Sequence, residues 1–179
     1  MNKFFANKKT VYTAFAIYVI LLIWALYFKC GIHHITYWQE KRLPLASELK
    51  WAFTGILYYI EIFPNIEAII YFLILLGNVV AFVPFGIFLR HFTNQSQAIA
   101  ILATSSFVFE TIQLFTGIGG PEIYDLITNL LGGLLGLWLY NKIENKLSHK
   151  LTNRFCMIFI VVGVPLCAVA IVTSVLIFV

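Results

Sequence analysis

Two short segments of this sequence carry polar side chains at helical spacing within apolar surroundings. Ser106, Glu110 and Gln113 are separated by four and three residues, so one helical face would present all of them. Asp125 and Asn129 share a face in the same way. Such carboxylates and amides can bind a polar headgroup, a peptide or a sugar, and two carboxylates can divide acid and base roles. Because no activated nucleophile accompanies them, we expect binding rather than catalysis and assign no catalytic residue.

Small residues continue the face that Asp125 and Asn129 share. Gly132 and Gly136 are four positions apart, a spacing that lets a second helix approach closely. The glycine-rich segment 116–121 precedes Asp125 and predicts a tight turn. The two polar segments would then form an antiparallel helical hairpin, and we expect their polar side chains to lie side by side.

A third polar position, Asn78, is followed by Pro84 and Gly86 on another apolar segment. Proline has no N–H, so Pro84 would leave a carbonyl near residue 80 without its helical donor. This predicts a bend in the helix close to Asn78. We therefore expect Asn78 to complete the polar set from a second direction, with Pro84 and Gly86 serving helix packing.

The composition calls for an apolar environment around these segments. Hydrophobic residues make up 61% of the chain and charged residues 11%, whereas a soluble domain carries about 25% charged residues. Such a chain has too little polar surface to cover a water-soluble globule. Runs long enough to cross a hydrocarbon core of about 30 Å are 11–28, 68–89, 98–115, 123–140 and 155–179.

These runs predict the fold class, an all-α polytopic transmembrane bundle of about five spans. The apolar run 49–63 is shorter and precedes Pro64, so we interpret it as an interfacial or re-entrant helix. No linker-like stretch interrupts residues 1–179, which we treat as a single domain.

The basic residues predict how the bundle is oriented. Cytoplasmic segments of membrane proteins hold an excess of lysine and arginine. An N-terminus in the cytoplasm and a C-terminus outside would place Lys3, Lys8, Lys9, Arg90, Lys142, Lys146, Lys150 and Arg154 inside, against Lys29, Lys41, Arg42 and Lys50 outside. The polar set then lies toward the outer leaflet. We expect a multi-pass protein of a cell membrane whose first run is an uncleaved anchor.

Two interpretations of the polar set compete. An acid inside a membrane helix costs about 2.5–3.5 kcal/mol on insertion scales, so Glu110 needs partners or a function. The set could be a hydrogen-bonded network that fixes helix register. It could instead be an outward-facing ligand site, which we prefer because ionisable residues within membranes mark functional sites by default. Lys29 could pair with Glu110, Asp125 or an anionic ligand, or simply anchor its helix at the interface.

Other functions find less support in the sequence. Cys30, Cys156 and Cys167 have no metal-binding spacing, and the adjacent pair His33 and His34 has no further ligand nearby. We therefore predict no metal and no cofactor. The net charge of +4 is explained by topology and by attraction to anionic lipid, so no nucleic-acid partner is expected.

The polar and small residues form three motifs: N-x-x-x-F-x-P-x-G at 78–86, S-x-x-x-E-x-x-Q at 106–113 and the run 125–136 from Asp125 to Gly136. Taken together, in this order and at this spacing, they resemble the VanZ-like family of bacterial membrane proteins. The likeness covers about residues 70–140. One departure is Gly119, which stands where many relatives carry an arginine.

The resemblance implies a bacterial cytoplasmic-membrane protein that lowers susceptibility to lipoglycopeptide antibiotics such as teicoplanin. The expected partner is the drug or a lipid-linked cell-wall precursor. Two alternatives stay open, a membrane-embedded enzyme that modifies a lipid-linked envelope glycan and a small transporter. The transporter has less support because no pair of inverted halves is visible.

Overall fold

The computed structural model describes residues 8–28, 66–116 and 122–146, together with the isolated positions Ser47 and Lys50. These three segments form four helices: α1 (Lys8–Phe28), α2 (Ile66–Phe92), α3 (Gln95–Thr116) and α4 (Ile123–Lys146). The described part of the chain contains no strand, so the predicted all-α class is confirmed.

Three of these helices have the length and composition of membrane spans: the apolar windows are Leu75–Phe92, Gln95–Thr116 and Ile123–Asn145. The apolar stretch of α1, Val11–Tyr27, is shorter. The predicted span 155–179, the turn 117–121 and, apart from Lys50, the run 49–63 lie outside the described residues. The count of five spans therefore stays a prediction.

The helices extend past the predicted spans because polar residues at their ends are held by specific contacts. At the start of α3, Asn94 Oδ1 accepts a hydrogen bond from the Gln97 backbone N–H at 2.9 Å, and Asn94 N–H donates to Gln97 Oε1 at 3.3 Å. This reciprocal pair satisfies N–H groups that have no partner inside the helix. A prediction from hydropathy alone makes the helix too short at such positions.

The main packing contact joins α2 and α4, and the order of the contacts along both helices shows that they run in the same direction. Backbone meets backbone at three places: Gly132 faces Val79, Gly136 faces Val83, and Gly86 faces Gly133. A Cβ atom at Gly86, Gly132 or Gly136 would approach the opposing backbone within 3.0 Å, closer than real Cβ atoms come. Small side chains allow this approach because van der Waals contact drives helix association in lipid.

The other two helices run antiparallel to this pair. On α3, the Leu102 side chain packs against Gly133 of α4. On α1, the Phe15 ring lies 5.2 Å from that of Phe88, measured between centroids, and the Tyr18 hydroxyl donates to the carbonyl of Ala81. That carbonyl is next to the one that Pro84 leaves without a helical donor.

Helix α2 continues through Pro84 from Ile66 to Phe92. The hydroxyl of Tyr18 reaches this region from α1, but it bonds to the carbonyl of Ala81 and not to the one that Pro84 frees. The bend expected near Asn78 stays a prediction.

Candidate functional site

The polar residues of the three motifs lie in the half of the bundle where α3 ends and α4 begins. We refer to them as the Asp125 cluster, which consists of Asn78, Ser106, Glu110, Gln113, Asp125 and Asn129. All but the half-buried Glu110 are at most 5% exposed. These side chains are therefore enclosed by helices, although they are polar and one of them, Asp125, is a carboxylic acid.

One short hydrogen bond joins α2 to α4 inside the cluster. Asn78 Nδ2 donates to Asp125 Oδ1 at 2.7 Å, and both residues are buried. Asp125 lies in the first turn of α4, where the helix dipole favours a negative charge. The buried carboxylate thus has a donor from a neighbouring helix and a favourable field from its own.

Two contacts join α3 to α4 on the other side of the cluster. Glu110 Oε2 accepts a hydrogen bond from the backbone N–H of Glu122 at 3.2 Å. Glu122 immediately precedes α4, so Glu110 satisfies an N–H group at that helix end from a different helix. One turn earlier in α3, the Ser106 hydroxyl donates to the carbonyl of Leu126 at 3.4 Å.

The same contacts define the antiparallel register, and Gln113 lies outside the hairpin that the sequence predicts for it. Since Glu110 is level with Glu122, Gln113 lies beyond the first residue of α4. Its amide donates to the carbonyl of Leu26 on α1 at 3.2 Å. Gln113 therefore links α3 to α1 and does not lie beside the polar residues of α4 as predicted, because the end of α3 extends past the start of α4.

Asn129 differs from every other member of the cluster. It is 0% exposed, and neither its amide nitrogen nor its amide oxygen has a hydrogen-bond partner in the described part of the chain. It lies on α4 between Asp125, which bonds to α2, and Gly133, which contacts α2 and α3. A buried polar group without a partner costs about 1–3 kcal/mol, so this position is unfavourable for folding.

The remaining predicted site residues have simpler outcomes. Gly86, Gly132 and Gly136 lie at the contact of α2 with α4, as described above. Lys29, proposed as a partner of the acids, lies outside the described residues. Among residues 8–28, 66–116 and 122–146, no group of His, Cys, Asp and Glu could hold a metal ion.

A second polar cluster, not recognised from the sequence, joins α2 and α4 near their other ends. We refer to it as the Arg90 cluster, which consists of Arg90, His91, Tyr140, Asn141 and Glu144. Arg90 Nε donates to Asn141 Oδ1 at 2.8 Å, and Arg90 Nη2 lies 3.8 Å from Glu144 Oε2. His91 Nδ1 lies 3.1 Å from the Tyr140 hydroxyl.

This cluster is not among the predictions from the sequence, because Arg90 serves there only to predict the orientation of the bundle in the membrane. A signal was present, since Tyr140, Asn141 and Glu144 are polar residues gathered within the last turns of a helix. Their partners on α2 could be identified only from the parallel packing of the two helices. The Arg90 and Glu144 side chains remain 25% and 40% exposed, so this cluster is in contact with solvent.

Comparison with known proteins adds a family assignment to this geometry. A family model described as VanZ/LLP1 matches residues 15–144. Protein VanZ of Enterococcus faecium is 30% identical over 130 residues, which cover 70% of each chain. No solved structure matches the chain. The matched region contains both polar clusters and all four described helices except the ends of α1 and α4.

Proposed function

The chain belongs to the VanZ/LLP1 family, and on this premise we propose that it lowers the susceptibility of bacteria to lipoglycopeptide antibiotics such as teicoplanin. It acts through the Asp125 cluster, which binds the drug or a lipid-linked cell-wall precursor in the outer leaflet. Both ligands combine a polar head with an apolar tail, so the head can reach the cluster while the tail stays in lipid.

The cation distribution supports this orientation. Lys9 near the start of α1, Arg90 near the end of α2 and Lys142 near the end of α4 lie at one end of the bundle. The stacking of Tyr12 on Phe92, with ring centroids 4.5 Å apart, brings the start of α1 to that end. Since lysine and arginine are retained on the cytoplasmic side, we take this end as the inner one. The Asp125 cluster then lies toward the outside.

The observation that carries the proposal is the burial of Asp125, which is 4% exposed within helices of membrane-spanning composition. Ionisable groups in such positions are costly and mark ligand or ion sites by default. The cluster is also close to the bundle end. Glu110 lies about 9 Å along the helix axis from Thr116, the last residue of α3. A headgroup at the outer interface is therefore within reach.

Drug susceptibility tests the proposal directly. The protein and its Asp125→Asn and Glu110→Gln variants are expressed in a teicoplanin-sensitive Gram-positive host, and minimum inhibitory concentrations are measured for teicoplanin and vancomycin. Each substitution keeps an acceptor oxygen for the observed hydrogen bond but removes the charge. Glu144→Gln makes the same chemical change in the Arg90 cluster and is the matched control, and blots of membrane fractions verify equal expression.

We expect the wild type and Glu144→Gln to protect against teicoplanin but not vancomycin, and both cluster variants to lose protection. If the wild type gives no protection, the proposed function is wrong. If it protects and both cluster variants protect equally well, the function stands but its assignment to the Asp125 cluster is wrong.

A second function is favoured by one observation, the convergence of two carboxylates on the start of α4. Glu110 bonds to the N–H of Glu122, and Asp125 lies three residues further along. Two carboxylates can act as general acid and general base on a lipid-linked envelope glycan. Mass spectrometry of extracted lipids would then show a product that is present with the wild type and absent with Asp125→Asn. Unchanged lipids in cells that are protected would exclude this enzyme.

A further inference from the structure

The side chain of Asn129 is buried, and its amide lacks hydrogen-bond partners among the described residues. It is 0% exposed, and both atoms of its amide lack a partner among the described residues. Interchanging the nitrogen and oxygen of the amide would not change this result, since neither position is paired. Nearly all buried polar groups in folded proteins have a hydrogen-bond partner. Such an exception, in the part of the chain that the structure describes, points to a bound molecule as the partner.

The unpaired atoms restrict the chemistry of that molecule. An amide nitrogen needs an acceptor, and an amide oxygen needs a donor. An ionised phosphate or carboxylate only accepts hydrogen bonds, and an ammonium group only donates them. Amide and hydroxyl groups do both. The surroundings also disfavour an anion, since Asp125 is one helical turn from Asn129 on the same face.

A second unpaired atom argues against a single enclosed water molecule. Gln113 Oε1 is also buried without a partner in the part of the chain that the structure describes. Glu110 is level with Glu122 and Ser106 with Leu126, so Asn129 is level with residue 103 of α3. Gln113 is ten residues further along α3, about 15 Å away along the helix axis. One water cannot bridge that distance. A ligand that carries several amide or hydroxyl groups can bond to both positions.

We infer that Asn129 is the specificity-determining residue of the Asp125 cluster, and that it recognises an uncharged amide or hydroxyl group of the ligand rather than a phosphate. This inference rests on the proposed function. Backbone contacts at the glycines close the interface between α2 and α4, so the ligand approaches Asn129 from the α3 side of α4.

The first test measures thermal unfolding of the purified full-length protein without added ligand. Asn129→Leu replaces the amide by an apolar side chain of similar size and removes both unpaired atoms. We expect its unfolding midpoint to rise by several degrees. Asn78→Leu is the matched comparison and should lower the midpoint, because it removes the donor to Asp125. If Asn129→Leu lowers the midpoint as much as Asn78→Leu, Asn129 is a structural residue and the inference is wrong.

The second test adds ligands to the same preparations. Teicoplanin and a lipid-linked disaccharide-pentapeptide precursor are tested separately, which distinguishes the two sources of amide and hydroxyl groups, and the bare polyprenyl phosphate is the anionic comparison. One of the first two should raise the midpoint of the wild type but not of Asn129→Leu. Asn129→Ser, which keeps a donor and an acceptor, should retain part of the shift.

The outcomes separate this inference from the function on which it rests. An Asn129-dependent shift with polyprenyl phosphate, or with none of the probes, overturns the inference. If teicoplanin protection in cells is present and survives in Asn129→Leu, the inference fails and the function stands. If the wild type gives no protection but the precursor gives an Asn129-dependent shift, the function fails and the chemistry assigned to Asn129 stands.

Discussion

The Asp125 cluster and the Arg90 cluster join the same two helices with hydrogen bonds of nearly equal length. Asn78 donates to Asp125 at 2.7 Å, and Arg90 donates to Asn141 at 2.8 Å. Their surroundings differ, because Asp125 is 4% exposed whereas the Glu144 side chain is 40% exposed. Water can replace a lost partner in the second cluster but not in the first.

The difference shows that the length of a hydrogen bond alone does not predict how much it contributes to stability. A solvent-exposed ion pair contributes about 0–1 kcal/mol, whereas a buried group that loses its partner costs about 1–3 kcal/mol. The Arg90 cluster is therefore expected to orient the helix ends but to contribute little to the free energy of unfolding. The Asp125 cluster combines a large energetic effect with a buried amide, that of Asn129, whose two polar atoms both lack a partner among the described residues.

The largest expected effect comes from a substitution that pushes α2 and α4 apart, because both clusters depend on the contact between these two helices. Gly132→Leu places a side chain against the backbone of Val79, which cannot move aside. We expect a loss of about 3 kcal/mol or more in the free energy of unfolding, measured by thermal unfolding in detergent. Gly77→Leu is the matched control, since a Cβ atom at Gly77 meets nothing within 4 Å. Equal losses in the two variants would contradict the close packing of α2 on α4.

A smaller effect sharpens the comparison between the clusters themselves. Asn78→Leu and Asn141→Leu make the same substitution at opposite ends of the α2 and α4 pair. We expect the first to reduce the free energy of unfolding by about 1.5–3 kcal/mol, because its partner is a buried acid. The second should reduce it by less than about 1 kcal/mol. Similar losses in chemical unfolding curves would show that burial does not distinguish the clusters.

The smallest effect concerns the ion pair of Arg90 with Glu144. A double-mutant cycle of Arg90→Gln and Glu144→Gln should give a coupling energy below about 1 kcal/mol, because the charged atoms are 3.8 Å apart and partly exposed. The coupling should fall further as salt is added to about 1 M. A coupling of several kcal/mol that resists salt would place this pair in the same energetic class as the Asp125 cluster.

Much of the helical framework follows from hydropathy. The predicted spans 68–89, 98–115 and 123–140 lie inside α2, α3 and α4. The helix ends do not follow, because tertiary contacts hold polar residues there. The last turns of α4 are one example, since Asn141 and Glu144 are helical and bonded to Arg90.

The members of the Asp125 cluster are visible in the sequence as polar residues among apolar ones, but their partners are not. Pairing depends on register. Spacing alone places Gln113 beside the polar residues of α4, whereas its amide bonds to the carbonyl of Leu26 on α1. The unpaired amide of Asn129 is even less accessible to sequence reasoning. It depends on the absence of a hydrogen-bond partner on the described neighbouring helices α2 and α3, which a local sequence pattern cannot predict.

The parallel packing of α2 on α4 has a consequence for how the protein is made. The ribosome completes α2 before α4 exists, and the whole of α3 separates the two in synthesis. Until α4 has entered the bilayer, Asn78 lacks its partner Asp125 and Gly86 has no helix against it. Helices of membrane proteins insert first and associate afterwards. A nascent chain that stops before α4 would therefore integrate into the membrane without assembling. Cellular quality control would then act on inserted helices that have not packed together.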